Sequence, residues 1–254
     1  MHTAYITHPS YLRHEMGNWH PESPLRLRAI DDRLHAAHLF DFLVHREARP
    51  ATREELLRVH DAGYVDAVAA VSPREGHHVL DPDTSMNAHT LEAALHAAGG
   101  AAMAVDLVMR GEVASAFVAC RPPGHHATRD RAMGFCIFNN VAVAAAHALA
   151  AHGLARVAIV DFDVHHGNGT EDIFSEEPRV MLCSTFQHPF YPHCGADTVS
   201  DHIVNVPLPA GTTGAAYREA FGARILPRLE AFRPQMLLCS AGFDGHREDD
   251  MAQF

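Results

Sequence analysis

Lysine is absent from this sequence. All 20 basic side chains among its 254 residues are arginine, which excludes Schiff-base chemistry and any phosphate-binding loop built on lysine. Positive charge is scarce as well. The 31 acidic residues leave a formal net charge of −11 with histidine neutral. That balance argues against a general nucleic-acid surface or an anionic membrane surface. No apolar run approaches the ~20 residues of a membrane span. The opening "MHTAYITHPSYLRHEMG" has neither the basic start nor the apolar core of a signal peptide, so the expected location is the cytoplasm. Cysteine is sparse and scattered, with Cys120, Cys136, Cys183, Cys194 and Cys239 forming no C-x-x-C pair. Three of the five lie in apolar, strand-like runs, and the five read as small buried hydrophobes in a reducing compartment.

Histidine, by contrast, is abundant at 22 copies. Most must be surface or satisfied structural residues, so only those in chemically meaningful company carry an argument. Hydrophobic residues make up 47 % and charged residues 20 %, as in ordinary soluble globular proteins. The length suits one large α/β domain with a substantial core.

Short apolar runs alternate with helical patterns. Strands are expected at 3–8, 114–120, 156–164 and 179–186, and at the opening of 234–244. Helices are expected within 23–40, as two short segments in 51–71, and over 87–111, 141–153 and 213–232. Thr52 followed by Glu55 predicts a capping box. Val-, Ile-, Leu- and Ala-rich strands separated by helices imply a parallel sheet covered on both faces. No repeat or linker interrupts the chain, so a single domain over 1–254 is the simplest division.

In such a sheet, ligands bind beyond the carboxyl ends of the strands. "RPPGHH" follows the strand ending at Cys120, "DFDVHHGNG" follows "VAIV", and "GFDGH" follows "MLLCSA". Residues two apart in a strand share a face, so Asp161, Asp163 and His165 would align if the extended conformation persisted. A catalytic zinc site takes three protein ligands and keeps an open position. Asp163 and His165 supply two, and Asp244 is the natural third. The alternative is that these residues cap helices and pair with arginines. His125 and His126, on a loop stiffened by Pro122 and Pro123, fit acid–base work beside a metal; otherwise they are surface histidines.

The blocks "RPPGHHA", "GFCIFNNVAVAAAHA", "VDFDVHHGNGTEDIF" and "SAGFDGH" resemble the signature blocks of the histone deacetylase family. "HPESPLRL" and Asn168 in "HHGNGT" resemble its class II branch. The resemblance implies an arginase/deacetylase-like three-layer α/β/α fold with a central parallel sheet. It implies a zinc-dependent amidohydrolase that removes acetyl or related acyl groups from lysine side chains, or alternatively an acetylpolyamine amidohydrolase. One zinc would be held by Asp163, His165 and Asp244, with zinc-bound water as nucleophile. His126 would be general base and acid, His125 its electrostatic partner, Asp161 the carboxylate orienting His125, and Asn168 the residue placed at the partner position of the second histidine. Gly134 and Phe135 would line the substrate tunnel, opposite Tyr191 in "PFYPHCG". A potassium ion would be held around Asp161, Asp163, His165, Ser184 and Thr185. The implied partner is an acylated lysine peptide or protein, or an acetylated polyamine. No nucleic acid or membrane is implied, and a homo-oligomer is left open.

Two departures qualify the resemblance. Family members carry a Gly-Gly-Tyr block some tens of residues beyond the Asp244 motif, and its tyrosine stabilises the oxyanion. The sequence stops at Phe254, so the expectation is a fragment of a protein of about three hundred residues, or else an inactive relic. Where polyamine-selective members can place a glutamate, this sequence has Met251. An apolar residue there favours a neutral acyl-lysine chain, although Glu248, Asp249 and Asp250 lie close by. A dinuclear manganese hydrolase of the arginase type would want D-x-H-x-D and D-x-D-x-x-D patterns, which "DFDVHHG" and "GFDGH" do not supply.

Overall fold

The order of elements begins with β1 (Thr3–Thr7), α1 (Leu25–Ala36), β2 (Leu43–Glu47), α2 (Arg53–Leu57) and α3 (Ala62–Val71). It continues through β3 (His78–Asp81), β4 (Thr84–Met86), α4 (Thr90–Met109), β5 (Ser115–Val118), α5 (Asn140–His152) and β6 (Val157–Asp161). α6 (Asn168–Phe174), β7 (Val180–Gln187), β8 (Ile203–Leu208), α7 (Gly214–Arg224), α8 (Leu226–Phe232) and β9 (Met236–Ser240) complete it. This computed structural model describes residues 2–17 and 19–254. They fall into two compact units, Met1–Ala148 and Leu149–Phe254.

In the first unit, β1 is the central strand of a parallel sheet ordered β2-β1-β5. Ala4, Tyr5 and Ile6 are buried on its two faces and join a core with Leu27 of α1 and Ala93 and Ala97 of α4. α4 spans 20 residues and is apolar enough to cross a bilayer by length and composition alone. Here it buries one face in this core through Ala93, Ala97 and Leu107. α2 starts on the expected capping box: Thr52 Oγ1 accepts the Glu55 N–H (3.2 Å), and Glu55 Oε2 accepts the Thr52 N–H (2.8 Å). β3 and β4 form an antiparallel hairpin outside the sheet.

The second unit is built on a four-stranded parallel sheet ordered β8-β7-β6-β9. Every residue of β6 and β7 is buried, which explains their near-continuous apolar sequences. Alternation divides their side chains. Ala158, Val160, Met181, Cys183, Val204 and Val206 pack with Tyr217, Phe221 and Ile225 of the α7–α8 segment. Asp161 and Ser184, register partners on β6 and β7, belong to the opposite face.

Several expected elements differ in extent. The pattern over 213–232 is two helices, because Pro227, at the second position of α8, has no N–H to continue the α7 ladder. The sequence reading did not separate out β2, the β3–β4 hairpin, α6 or β8. Extended structure in β6 ends at Asp161 rather than continuing to residue 164. Asp161 Oδ1 accepts the Asp163 N–H (3.2 Å), and Asp163 Oδ1 accepts the His165 N–H (2.8 Å). Two successive aspartate turns therefore bend the chain, and the expected shared strand face of Asp161, Asp163 and His165 does not form.

Candidate active site

The same turns aim the second unit's polar groups. After β6 the chain turns so that His165 Nδ1 faces two carboxylates, Asp163 Oδ1 at 3.1 Å and Asp244 Oδ2 at 2.9 Å. Asp244 reaches this point from the loop after β9, the parallel neighbour of β6. Its Oδ1 accepts the Val164 N–H at 3.0 Å, which ties the two loops together. Gly242 makes the approach feasible, since a Cβ there would lie 2.0 Å from Asp163 Oδ2.

One ligand atom from each of Asp163, His165 and Asp244 falls within 4.8 Å of the others. A single N–H cannot fully satisfy two carboxylates. Burial works against charge on His165, yet the hydrogen bonds and charges of Asp163 and Asp244 overcome it and push the imidazole up to about 9. Two carboxylates thus call for positive charge at this point, and a nitrogen–oxygen set of three fits a divalent ion with an open coordination position. The apolar cleft on the α7 side, lined by Phe162, Tyr217, Phe221, Phe243 and Phe254, includes none of the three.

Phe190 stacks on His165 at 5.3 Å between ring centroids, and Tyr191 meets the same ring edge-on at 6.0 Å. Tyr191 therefore lies beside His165, and Phe190 joins it as an aromatic contact the sequence reading did not single out. Asp161 is fully buried. The Ser184 and Thr185 hydroxyls face opposite sides of the sheet: Ser184 Oγ is 3.0 Å from His166 Nδ1, and Thr185 Oγ1 is 2.6 Å from the Tyr217 hydroxyl. Asn168 opens α6, its N–H donating to the His166 carbonyl (2.9 Å). Met251 is half-buried, and its N–H donates to Asp249 Oδ1 (2.9 Å).

In the first unit, His125 and His126 are both buried, with ring centroids 4.0 Å apart. Their loop is braced from several directions. Arg121 is fully buried and grips the Glu22 carboxylate with Nε and Nη2 (2.5 and 2.6 Å), while Nη1 donates to the Tyr11 carbonyl (2.5 Å). Burial pushes the Glu22 carboxyl up, but His14 and Arg121 outweigh it and hold it at about 2. Asn140 Nδ2 donates to the Pro122 carbonyl (3.1 Å), and Asn139 Nδ2 to the Ala127 carbonyl (3.1 Å). His60 Nδ1–H donates to the Thr128 carbonyl, and its Nε2 accepts the Asn139 N–H, both at 2.9 Å. These contacts fix the His60 tautomer.

Gly134 and Phe135 both adopt left-handed φ, 54° and 68°. At Gly134 a Cβ would lie 2.3 Å from His126 Cδ2, so glycine is required by backbone conformation and by the histidine beside it. Residues at the β3–β4 turn hold this pair: the Gly134 N–H donates to Asp83 Oδ1 (3.1 Å), and the Phe135 N–H to Thr84 Oγ1 (2.9 Å). His20 packs edge-on against Phe135 at 4.6 Å. Asp83 and Thr84 were missed because nothing in "LDPDTSM" beyond its turn composition signals a role.

Residues 20–254 match the histone deacetylase domain, and the chain belongs to the histone deacetylase family. It is 41 % identical to an uncharacterized protein of Synechocystis, over 98 % of this chain and 83 % of that one. It is 39 % identical to the histone deacetylase-like amidohydrolase of Pseudomonas aeruginosa, over 96 % of this chain and 68 % of that one. The solved HDA15 HD domain superposes with a TM-score of 0.93 at 39 % identity, covering 99 % of this chain and 77 % of that one. The fold is accordingly the α/β arginase/deacetylase fold, and the protein is a hydrolase of the deacetylase class.

Proposed function

We propose that the chain is a zinc-dependent amidohydrolase that removes acetyl or related acyl groups from lysine side chains. The observation that carries this reading is the arrangement of Asp163, His165 and Asp244, whose ligand atoms lie within 4.8 Å of one another. These three residues would hold one zinc. Bound there, zinc supplies a Lewis acid for the amide carbonyl and acidifies water. His126 takes the proton of the attacking water and returns it to the leaving nitrogen. His125 contributes a hydrogen bond and charge as the transition state forms. The Gly134 carbonyl accepts the substrate amide N–H, and Phe135 and Tyr191 each offer an aromatic face to the lysine methylene chain. Met251 favours a neutral chain over a polyamine. Asp161, Asp163, His165 and Ser184, with Thr185 through its backbone because its hydroxyl faces Tyr217, form the proposed potassium site, where the burial of Asp161 and Ser184 supports a dehydrated cation.

The test is hydrolysis of an acetyl-lysine peptide by the protein as purified, after exhaustive chelation, and after zinc is restored, with N-acetylspermidine assayed in parallel. Activity indifferent to chelation would refute the zinc reading. Selective turnover of N-acetylspermidine would replace the lysine substrate by the polyamine.

A further inference from the structure

The Phe190–Tyr191 wall rests on His165, but the loop that carries it needs an anchor of its own. Residues 188–202 join β7 to β8. At the near end the backbone is tied to the sheet, with the His188 N–H donating to the Leu208 carbonyl (2.8 Å). At the far end the ties come from side chains. Asn205 Nδ2 on β8 donates to the Gly195 carbonyl at 2.8 Å. The Thr198 hydroxyl donates to Glu171 Oε1 at 2.7 Å.

Both ties lead to one carboxylate. Glu171 Oε2 accepts from Asn205 Nδ2 and from His166 Nε2–H, each at 2.7 Å. His166 is fully buried and directly follows His165 in the chain. Its Nδ1 accepts from the Ser184 hydroxyl at 3.0 Å, which fixes the tautomer. Gly195 lies so close that a Cβ there would be 2.5 Å from the His166 ring. The contacts therefore form a closed circuit. It runs from His165 to His166, through Glu171 to Thr198 and Asn205, back along the loop to Phe190 and Tyr191, and onto His165 again. A carboxylate with three donors is the one member that touches every other branch.

We propose that Glu171 is a positioning residue, setting the separation between the Phe190–Tyr191 wall and His165 and thereby which acyl chains are accepted. This rests on the deacetylase reading above. The wall touches a proposed metal ligand, so a small outward shift widens the slot where the acyl carbon sits.

The test compares Glu171→Ala and Glu171→Gln with the wild type on acetyl- and butyryl-lysine peptides, in protein checked for cooperative melting and zinc content. Glutamine can keep all three bonds by turning its amide nitrogen toward Thr198, whose hydroxyl then accepts. Alanine removes them. For Glu171→Ala we expect KM for the acetyl peptide to rise about 10- to 100-fold, with kcat less affected and the preference for acetyl over butyryl reduced. Glu171→Gln should restore both. A purely structural role would lower stability without moving selectivity, so unchanged KM and selectivity in folded Glu171→Ala overturns the proposal. If Glu171→Ala does not fold, Thr198→Val and Asn205→Leu each remove one branch, and unchanged values in both overturn it equally. If the wild type hydrolyses neither peptide with zinc bound, the deacetylase reading fails by itself. Hydrogen exchange over 189–198 then still decides the anchoring, and equal protection in wild type and Glu171→Ala refutes it.

Discussion

Asp244 Oδ2 lies 2.9 Å from His165 Nδ1 although 79 residues separate them in the chain. The parallel pairing of β6 with β9 brings their carboxyl ends side by side, and Gly242 leaves the gap that Asp163 fills. The contact gathers a nitrogen and two carboxylates at one point, and four consequences of the two constellations can be measured.

Asp244→Ala should lower zinc from about one per chain to a small fraction after dialysis, read by elemental analysis. The same substitution frees the Val164 N–H, so a melt should accompany the assay. Unchanged zinc in folded protein would remove Asp244 from the ligand set.

His126→Ala should reduce amide hydrolysis by ~10²–10⁴-fold while zinc stays bound, the range for loss of a general acid–base. Retention of more than about a tenth of wild-type turnover, far outside that range, would rule out this role.

Gly134→Ala should be harmful in two ways. Its φ of 54° strains any L side chain, and its Cβ would overlap the His126 ring at 2.3 Å. We expect a stability loss of about 1–3 kcal/mol and a fall in kcat well beyond what that loss explains. The check is single-turnover kinetics beside urea unfolding. Full activity would show that the Gly134–His126 contact is not needed for catalysis.

Acid should loosen the loop that carries the tandem histidines. Burial pushes the His60 imidazole down to about 4, against the pull of its hydrogen bonds to Thr128 and Arg129. The folded value lies below the unfolded value near 6.5, so the unfolded chain takes up the proton first as pH falls. His60 thus contributes stability fully present above about 6.5 and lost progressively down to about 4, by roughly 3 kcal/mol. Urea melts from pH 7 to pH 4 should show this slope, and His60→Gln should flatten it. An identical slope in the variant would assign the effect to other groups.

The sequence by itself determined the class of fold and the chemistry of its loops. Short continuous apolar runs such as "VAIV" and "VMLCST", alternating with helical patterns, fit strands buried on both faces of a parallel sheet. Carboxylates and histidines directly after such runs mark the sheet edge where ligands bind. Thr52 and Glu55 announced the start of α2, because a capping box is local in sequence. Asp163, His165 and Asp244 each follow their strand by a few residues, which made them candidates; their meeting within 4.8 Å depends on the pairing of β6 with β9.

Only the tertiary structure decided what depends on distant partners. The loop after β6 is held by Asp244, whose Oδ1 accepts the Val164 N–H although 80 residues separate them. Asp83 and Thr84 acquired a purpose only when residues some fifty positions later presented N–H groups to them. Glu171 reads as an ordinary helix glutamate until β8 and the Phe190–Tyr191 loop deliver Asn205 and Thr198 to its carboxylate. Periodicity and capping are written in neighbouring residues, whereas a buried polar group is satisfied by whatever the fold brings to it.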